Sequence, residues 1–282
     1  MIELDFNITI VGLGLIGGSF AMALKELNPK NLWGVDIDED IIKTAEETGI
    51  IDKGYLKPQA PLENSDIVII CIYPNMTIKF IRDNMNCFKT GAIITDTAGI
   101  KDKLVREINS FLREDLDFIA GHPMAGREYK GLEFASKDMF ADASYIITPT
   151  YRNNKENIDI VEDIVKKIGF RDVVKISPEE HDKIMALTSQ LPHIIATALI
   201  NGSNEYDINR FIAGSFKDAT RVARINSQLW TELLIDNRKN ILAQIENFEY
   251  SLREIKRAII SNERETLKSI FDKGSLRREG ML

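Results

Sequence analysis

Only two of the 282 residues are cysteines and only three are histidines. Cys71 and Cys87 are too few for a disulfide framework, so nothing points to an oxidising compartment. Cys71 stands in an apolar run and reads as a small buried hydrophobe. His122, His181 and His193 have neither His-x-x-x-His spacing nor paired carboxylates beside them, so no metal site is expected. Positive charge is also in short supply. The 36 Lys and Arg face 43 Asp and Glu, and a net charge of -7 argues against a nucleic-acid binder. The same balance disfavours adsorption to an anionic membrane. Charge is missing altogether from residues 8–24, a run that superficially resembles a secretory h-region. Acidic Glu3 and Asp5 precede it where a signal peptide wants positive charge. Gly12, Gly14, Gly17 and Gly18 would weaken a membrane helix there. The run reads as a buried strand, a tight turn and a helix in a cytoplasmic protein.

What is present is an ordinary globular composition and enough length for two domains. The first half alternates short apolar runs with amphipathic segments, the pattern of a parallel sheet with helices on its faces. Strands are expected at 7–11, 32–36, 67–72, 92–96, 118–120, 145–148 and 173–176, with helices such as 19–27 and 40–48 between them. Asn28-Pro29 is expected to close the first helix. After Ser177-Pro178 the strand alternation stops and apolar residues recur at helical spacing. Leu234, Ile241, Ile245, Phe248, Leu252, Ile255 and Ile259 predict one long helix whose apolar stripe needs a partner. The polar tail from Lys273 to Leu282 is expected to fray. The fold class is therefore α/β: a Rossmann-like parallel-sheet domain over 1–176, followed by an all-α domain over 177–282.

The strand at 7–11 runs into Gly12-Leu13-Gly14-Leu15-Ile16-Gly17 and then a helix. Gly12 permits the tight turn, Gly14 lets the backbone approach a pyrophosphate, and Gly17 lets helix and strand pack closely. The helix start, with Leu15 and Ile16, offers free N–H groups and a positive dipole end to phosphates. Asp36 closes the next strand candidate, where a carboxylate binds the adenosine ribose diol and repels a 2′-phosphate. The plain alternative for Asp36 is a strand-end turn residue. The pattern points to NAD.

His122 lies in Gly121-His122-Pro123-Met124-Ala125-Gly126-Arg127-Glu128, just past an expected strand end, where open α/β sheets bind ligands. A dehydrogenase that oxidises an alcohol needs a base there, and histidine suits that role near neutral pH. The alternative is a structural loop histidine. His193 sits beside an apolar helix and reads as a core residue, while His181, between Glu180 and Asp182, reads as a surface residue. Lys217 and Arg221 are spaced to share one helix face and could hold a dicarboxylate. On spacing alone, a solvated face balanced by Asp218 is the favoured reading of that pair.

Taken together, these segments resemble the prephenate dehydrogenase family over nearly the whole chain. The carrying motifs are Gly-Leu-Gly-Leu-Ile-Gly-Gly-Ser at 12–19, Gly-His-Pro-Met-Ala-Gly-Arg-Glu at 121–128, Leu-Pro-His at 191–193 and Phe-Lys-Asp-Ala-Thr-Arg-Val-Ala at 216–223. The resemblance implies that His122 is the catalytic histidine on the ring hydroxyl and that Arg221 binds a substrate carboxylate. It implies that His193 lines the same pocket and that Lys217, Asp218 and Glu128 form an ionic group at its mouth. Gly214 and Trp230 also fall at family positions. Two departures stand out. Asp96-Thr97-Ala98-Gly99-Ile100-Lys101 puts Gly99 where the family often has a serine, leaving Thr97 or a water as substitute. Gln190 stands where a further histidine is common.

The implied reaction is oxidative decarboxylation of prephenate or arogenate with NAD, in a homodimer joined through the helical domain. No regulatory or mutase domain is expected beyond the helices. Its acid limb is expected at a histidine-like pH of about 6.5 unless the site shifts it. Two other readings compete. A 3-hydroxyacid dehydrogenase joins similar domains but gives the His-Pro motif no role. An NAD-sensing regulator would need the glycine turn without His122 and Arg221 together.

Overall fold

The structure, a computed structural model, describes residues 4–126, 129–202 and 208–281. Among them eight strands form one sheet: β1 (Leu4–Val11), β2 (Pro29–Val35), β3 (Lys53–Tyr55), β4 (Ile67–Ile70), β5 (Ile93–Asp96), β6 (Asp117–Pro123), β7 (Ser144–Thr148) and β8 (Asp172–Lys175). Their order is β3-β2-β1-β4-β5-β6-β7-β8. From β1 the chain winds outward through β2 and β3, then returns to β4 on the other side of β1. That reversal opens a crevice at the strands' carboxyl ends.

The strands of this half carry apolar residues on both faces because both faces are covered. In β4, Ile67 and Ile69 join one core with Phe20, Leu24 and Ile164, while Val68 and Ile70 join another with Ile78, Ile81 and Leu104. The helices supplying these contacts are α1 (Leu15–Lys25), α2 (Glu39–Glu47), α3 (Gln59–Leu62), α4 (Pro74–Asp83), α5 (Asp102–Asn109) and α6 (Lys155–Lys167).

Three local expectations need amendment. The sheet is parallel except between β6 and β7, which run antiparallel. Among the described residues their connection holds two short 3₁₀ turns, and a parallel return would need a helical crossover. The three-residue strand β3 is too short to show an alternation. Helix α1 stops at Lys25 rather than at Asn28-Pro29. Asn28 takes φ 47, and Pro29 opens β2 instead.

Beyond β8 every regular element among the described residues is helical: α7 (Pro178–Met185), α8 (Leu191–Asn201), α9 (Gly214–Thr220), α10 (Ser227–Asp236), α11 (Arg238–Ile260) and α12 (Arg264–Glu279). Ser177 and Glu180 start α7 with a reciprocal capping box. A π turn over Ala186–Gln190 joins α7 to α8 just ahead of Pro192, which has no N–H to continue the ladder. The long apolar stripe is broken into two helices at Asn237, whose φ of −103 and ψ of 22 leave the helical range. Its amide is drawn into the core, donating to Asp182 O and Gln190 Oε1, both at 2.8 Å. The tail is helical through Glu279, although its side chains are exposed.

Candidate active site

At the end of β1, Gly12 has φ +88, and a Cβ there would stand 2.7 Å from the Ile72 side chain. A Cβ on Gly17 would collide with Gly12 O at 1.8 Å, so helix and turn can pack this closely only with glycine. Gly14 differs: nothing lies within 4 Å of its missing Cβ. It is the N-cap of α1 and gives the helix no side-chain cap, so the first-turn N–H groups at Leu15 and Ile16 lack that partner. An anion fits this open, uncapped end of an eleven-residue helix. Asp36 follows β2 and accepts from Leu13 N–H at 2.7 Å and from Asp38 N–H at 3.1 Å. Its carboxylate thus holds the turn.

His122 is placed within the end of β6 rather than past it, since the strand continues to Pro123 against β7. Pairing of β6 with β5 nevertheless ends at Ile119. His122 therefore stands beyond the parallel part of the sheet, three strands from the glycine turn. Its Nε2 faces Gly99 and would be 3.8 Å from a Cβ there. Its Nδ1 lies 2.9 Å from Nε2 of His181.

His181 is not a surface residue. It is fully buried, and its Nδ1 lies 2.7 Å from Asp182 Oδ1. Asp182 also accepts from the backbone N–H of Lys101 at 2.8 Å and of Asp102 at 3.0 Å, which seats α7 against the start of α5. Lys101 is buried beside them, its Nζ donating to Asp96 Oδ2 at 2.6 Å. Burial, then repulsion from His181 and Lys101, pushes His122 well below the ordinary imidazole value. Burial also lowers His181, against the opposing pull of Asp182.

Sequence reasoning missed His181, Asp182, Lys101 and Asp96. A signal was available for the first two. Pro178, His181, Asp182 and Met185 are the buried residues of α7, spaced at i, i+3, i+4 and i+7. Their placement on one helix face outweighs the flanking charges that suggested a surface.

The helical side supplies the remaining candidates. His193 is half-buried on α8, stacked on Trp230 at 3.8 Å between centroids, and its Nδ1 donates to Ser189 O at 2.8 Å. Gln190 is buried and tied to Leu233 O at 3.3 Å and to Asn237. Gly214 opens α9, with Lys217 and Asp218 exposed on it. Arg221 does not share a regular helix face with Lys217, because α9 ends at Thr220 and Arg221 begins a 3₁₀ turn. That turn packs against α8, which brings the segment bearing Arg221 beside the helix bearing His193. Arg224 lies over Tyr129, which stacks on Phe134, and so ties this segment to the loop after β6. Glu128 lies outside the described residues. Thr97, one candidate for the missing hydroxyl, has its Oγ1 3.5 Å from Ile70 O, on β4.

By fold, the molecule falls in the class of oxidoreductases that join a Rossmann-like domain to a helical one. Its place within that class is specific: the chain belongs to the prephenate dehydrogenase family. The family model for the prephenate dehydrogenase nucleotide-binding domain matches residues 20–174, and that for the dimerization domain matches 177–273. The prephenate dehydrogenase of Bacillus subtilis is 30% identical over 278 residues, covering 96% of this chain and 74% of that protein. The cyclohexadienyl dehydrogenase of Zymomonas mobilis is 31% identical over 273 residues, 94% of this chain and 92% of that one. Among solved structures, prephenate dehydrogenase from A. aeolicus, in complex with hydroxyphenyl propionate and NAD+, superposes with a TM-score of 0.90. It is 29% identical, with 100% of this chain and 99% of that chain covered.

Proposed function

We propose that this chain is an NAD-dependent prephenate dehydrogenase, converting prephenate to 4-hydroxyphenylpyruvate and carbon dioxide in a cytoplasmic route to tyrosine. The observation that carries this reading is His122, held at the carboxyl edge of the sheet with Nδ1 engaged and Nε2 turned to the space beside Gly99. Residues 1–176 form the dinucleotide-binding domain, and 177–282 form the substrate and dimerisation domain. Exposed apolar residues on α11 and α12, among them Leu252, Ile259 and Phe271, suit burial against a second copy.

Bound NAD supplies the acceptor for the hydride that leaves C4 of the ring. Gly12, Gly14, Leu15, Ile16 and Gly17 would hold its pyrophosphate, and Asp36 its adenosine ribose. His122 Nε2 takes the hydroxyl proton as C4 is oxidised. The bond from the opposite ring carbon to its carboxylate then breaks, its electron pair enters the ring, and His122 returns the proton to the phenolate oxygen. Arg221, together with Lys217, Gly214 and His193, is assigned to the side-chain carboxylate, and the family resemblance gives Glu128 and Asp218 an ionic role at the mouth. Parallel assays of NADH formation with prephenate and arogenate test the reading. Turnover of arogenate alone would move the assignment to arogenate dehydrogenase, and turnover of neither would end it.

Three results are expected. Replacing Asp36 with Ser should weaken NAD binding and improve relative use of NADP, because the group that repels a 2′-phosphate is gone. A wild type that already prefers NADP would show the ribose argument to be wrong. Arg221→Ala would leave a substrate carboxylate unpaired, at a cost of about 2–5 kcal/mol, read as a raised KM with NAD affinity unchanged. An unaltered KM would return Arg221 to the role of a surface charge.

The third concerns pH. His122 must be neutral to accept a proton, and its depressed pKa keeps it neutral on mild acidification. The acid limb of kcat/KM should therefore fall well below pH 6.5, the ordinary value. Below about 6.5 the unfolded chain binds the proton that folded His122 refuses, so stability should fall by up to about 1.4 kcal/mol per pH unit. A limb at or above 6.5 would contradict the packing around His122.

A further inference from the structure

His122 can act as a base only if the nitrogen turned to the substrate lacks a proton. A neutral imidazole carries its proton on either nitrogen, and nothing intrinsic to histidine guarantees the right choice. The groups behind His122 supply the missing constraint. A carboxylate only accepts hydrogen bonds, so the 2.7 Å contact with Asp182 Oδ1 requires a proton on His181 Nδ1. His181 Nε2 in the neutral ring is then an acceptor. At 2.9 Å from it, His122 Nδ1 must be the donor. The proton of His122 is thereby committed to Nδ1, and Nε2, which faces Gly99, keeps its lone pair.

The chain of bonds is anchored at its far end. Asp182 cannot swing away, because both its oxygens also accept from the start of α5 at Lys101 N and Asp102 N. It is almost completely buried, and the His122 and His181 rings meet edge-on at 5.1 Å and 68°. Filling space beneath β6 would need neither this order of donors and acceptors nor a carboxylate behind it.

We propose that His181 and Asp182 are positioning residues of the reaction, a two-residue relay that holds His122 in its Nδ1–H tautomer and faces the positive charge formed there with a buried carboxylate. This rests on the reading of His122 as the base of a dehydrogenase. No proton needs to travel down the relay. The proton from the substrate hydroxyl stays on His122 Nε2 until it is returned, while the bonds behind it keep their direction.

With three histidines in the chain, two-bond proton–nitrogen NMR of the imidazoles resolves every ring, and His193→Asn together with the His181 variants assigns them. In the wild type at neutral pH the spectrum should show His122 protonated at Nδ1 and bare at Nε2. His181→Phe, which keeps an aromatic ring but removes the acceptor, should release the other tautomer and lower kcat on the order of 10²-fold. KM and NAD affinity should stay within about twofold, since neither ligand is bound by His181. His181→Gln places an amide oxygen near the Nε2 position and should recover most of the lost kcat along with the Nδ1–H signature.

A wild-type His122 protonated at Nε2, or His181→Phe with wild-type kcat, would overturn the relay. Should His181→Phe fail to fold by circular dichroism, the wild-type spectrum and the Gln variant still decide it. A wild type inert toward both cyclohexadienes would sink the reading of function, and the tautomer would then stand or fall on the spectrum alone.

Discussion

His122→Asn is expected to lower turnover about 10²–10⁴-fold, the usual loss for a general base, while NAD affinity and the fold are kept. Asparagine suits the test because of what stands behind the histidine. Its side-chain amide can donate to His181 Nε2 where Nδ1 now lies, so the buried partner at 2.9 Å keeps a bond. What disappears is the second nitrogen, the one turned to Gly99. The acid limb of the pH profile should vanish with it, since the group that titrates is gone. His193→Asn should cost less in kcat and appear more in KM, because His193, with Nδ1 bound to Ser189 O and its ring against Trp230, is proposed to line the substrate pocket rather than to take the proton. A His122→Asn enzyme with near wild-type turnover would rule out this mechanism whatever family the chain belongs to.

The glycine turn and His122 could be read from sequence because their signals are local. A turn that must admit φ +88 and the close packing of Gly17 on Gly12 O constrains residue type within a few positions. Apart from the three-residue β3, the strands from β1 to β6 were visible for the same reason, as largely buried apolar runs. The strand at β7 was visible too, but its antiparallel direction was not, because strand direction is decided by the connection and not by the strand's own residues. The break at Asn237 was hidden likewise. Its apolar neighbours keep helical spacing across it, while the cause lies in bonds to Asp182 and Gln190, some fifty positions earlier in the chain.

The charged groups behind the site were the least legible. His181, flanked by Glu180 and Asp182, looks like a solvated helix start, and only the contact with β6 shows it buried. Lys101 carries no local mark of burial in the sequence. Its burial depends on Asp96 at the end of β5 and on Asp182 from α7, two elements far apart in the chain. Buried ionic groups break the hydrophobic pattern from which a core is inferred, so they come into view only once the partner is placed.

Asp96→Ala should bring the largest loss of stability, about 3–5 kcal/mol, the range for stranding one member of a buried ion pair. Asp96 and Lys101 are both fully buried, 2.6 Å apart. Asp96 also accepts from Ala98 N at 2.8 Å and from Gly121 N at 3.1 Å, so its removal orphans two backbone donors as well as an ammonium. Lys101→Met leaves the carboxylate with those two donors and a side chain of similar length, and should cost less. The double variant Asp96→Ala/Lys101→Met should be more stable than Asp96→Ala alone, because no charge remains to be buried. Urea midpoints at unchanged m would measure all three. The pH dependence gives a second check. Burial already lowers the pKa of Lys101 against the pull of Asp96, and without Asp96 that drop deepens. Between the folded value and an unfolded value of about 10.4 the unfolded chain binds the extra proton, so Asp96→Ala should regain stability as pH rises toward 10. Activity should suffer in parallel, because residues 97–101 carry Gly99 to the face of His122. If the single and double variants lose equal stability and neither responds to alkaline pH, then the ammonium of Lys101 is not held by Asp96, and the orphaned N–H groups account for the whole loss.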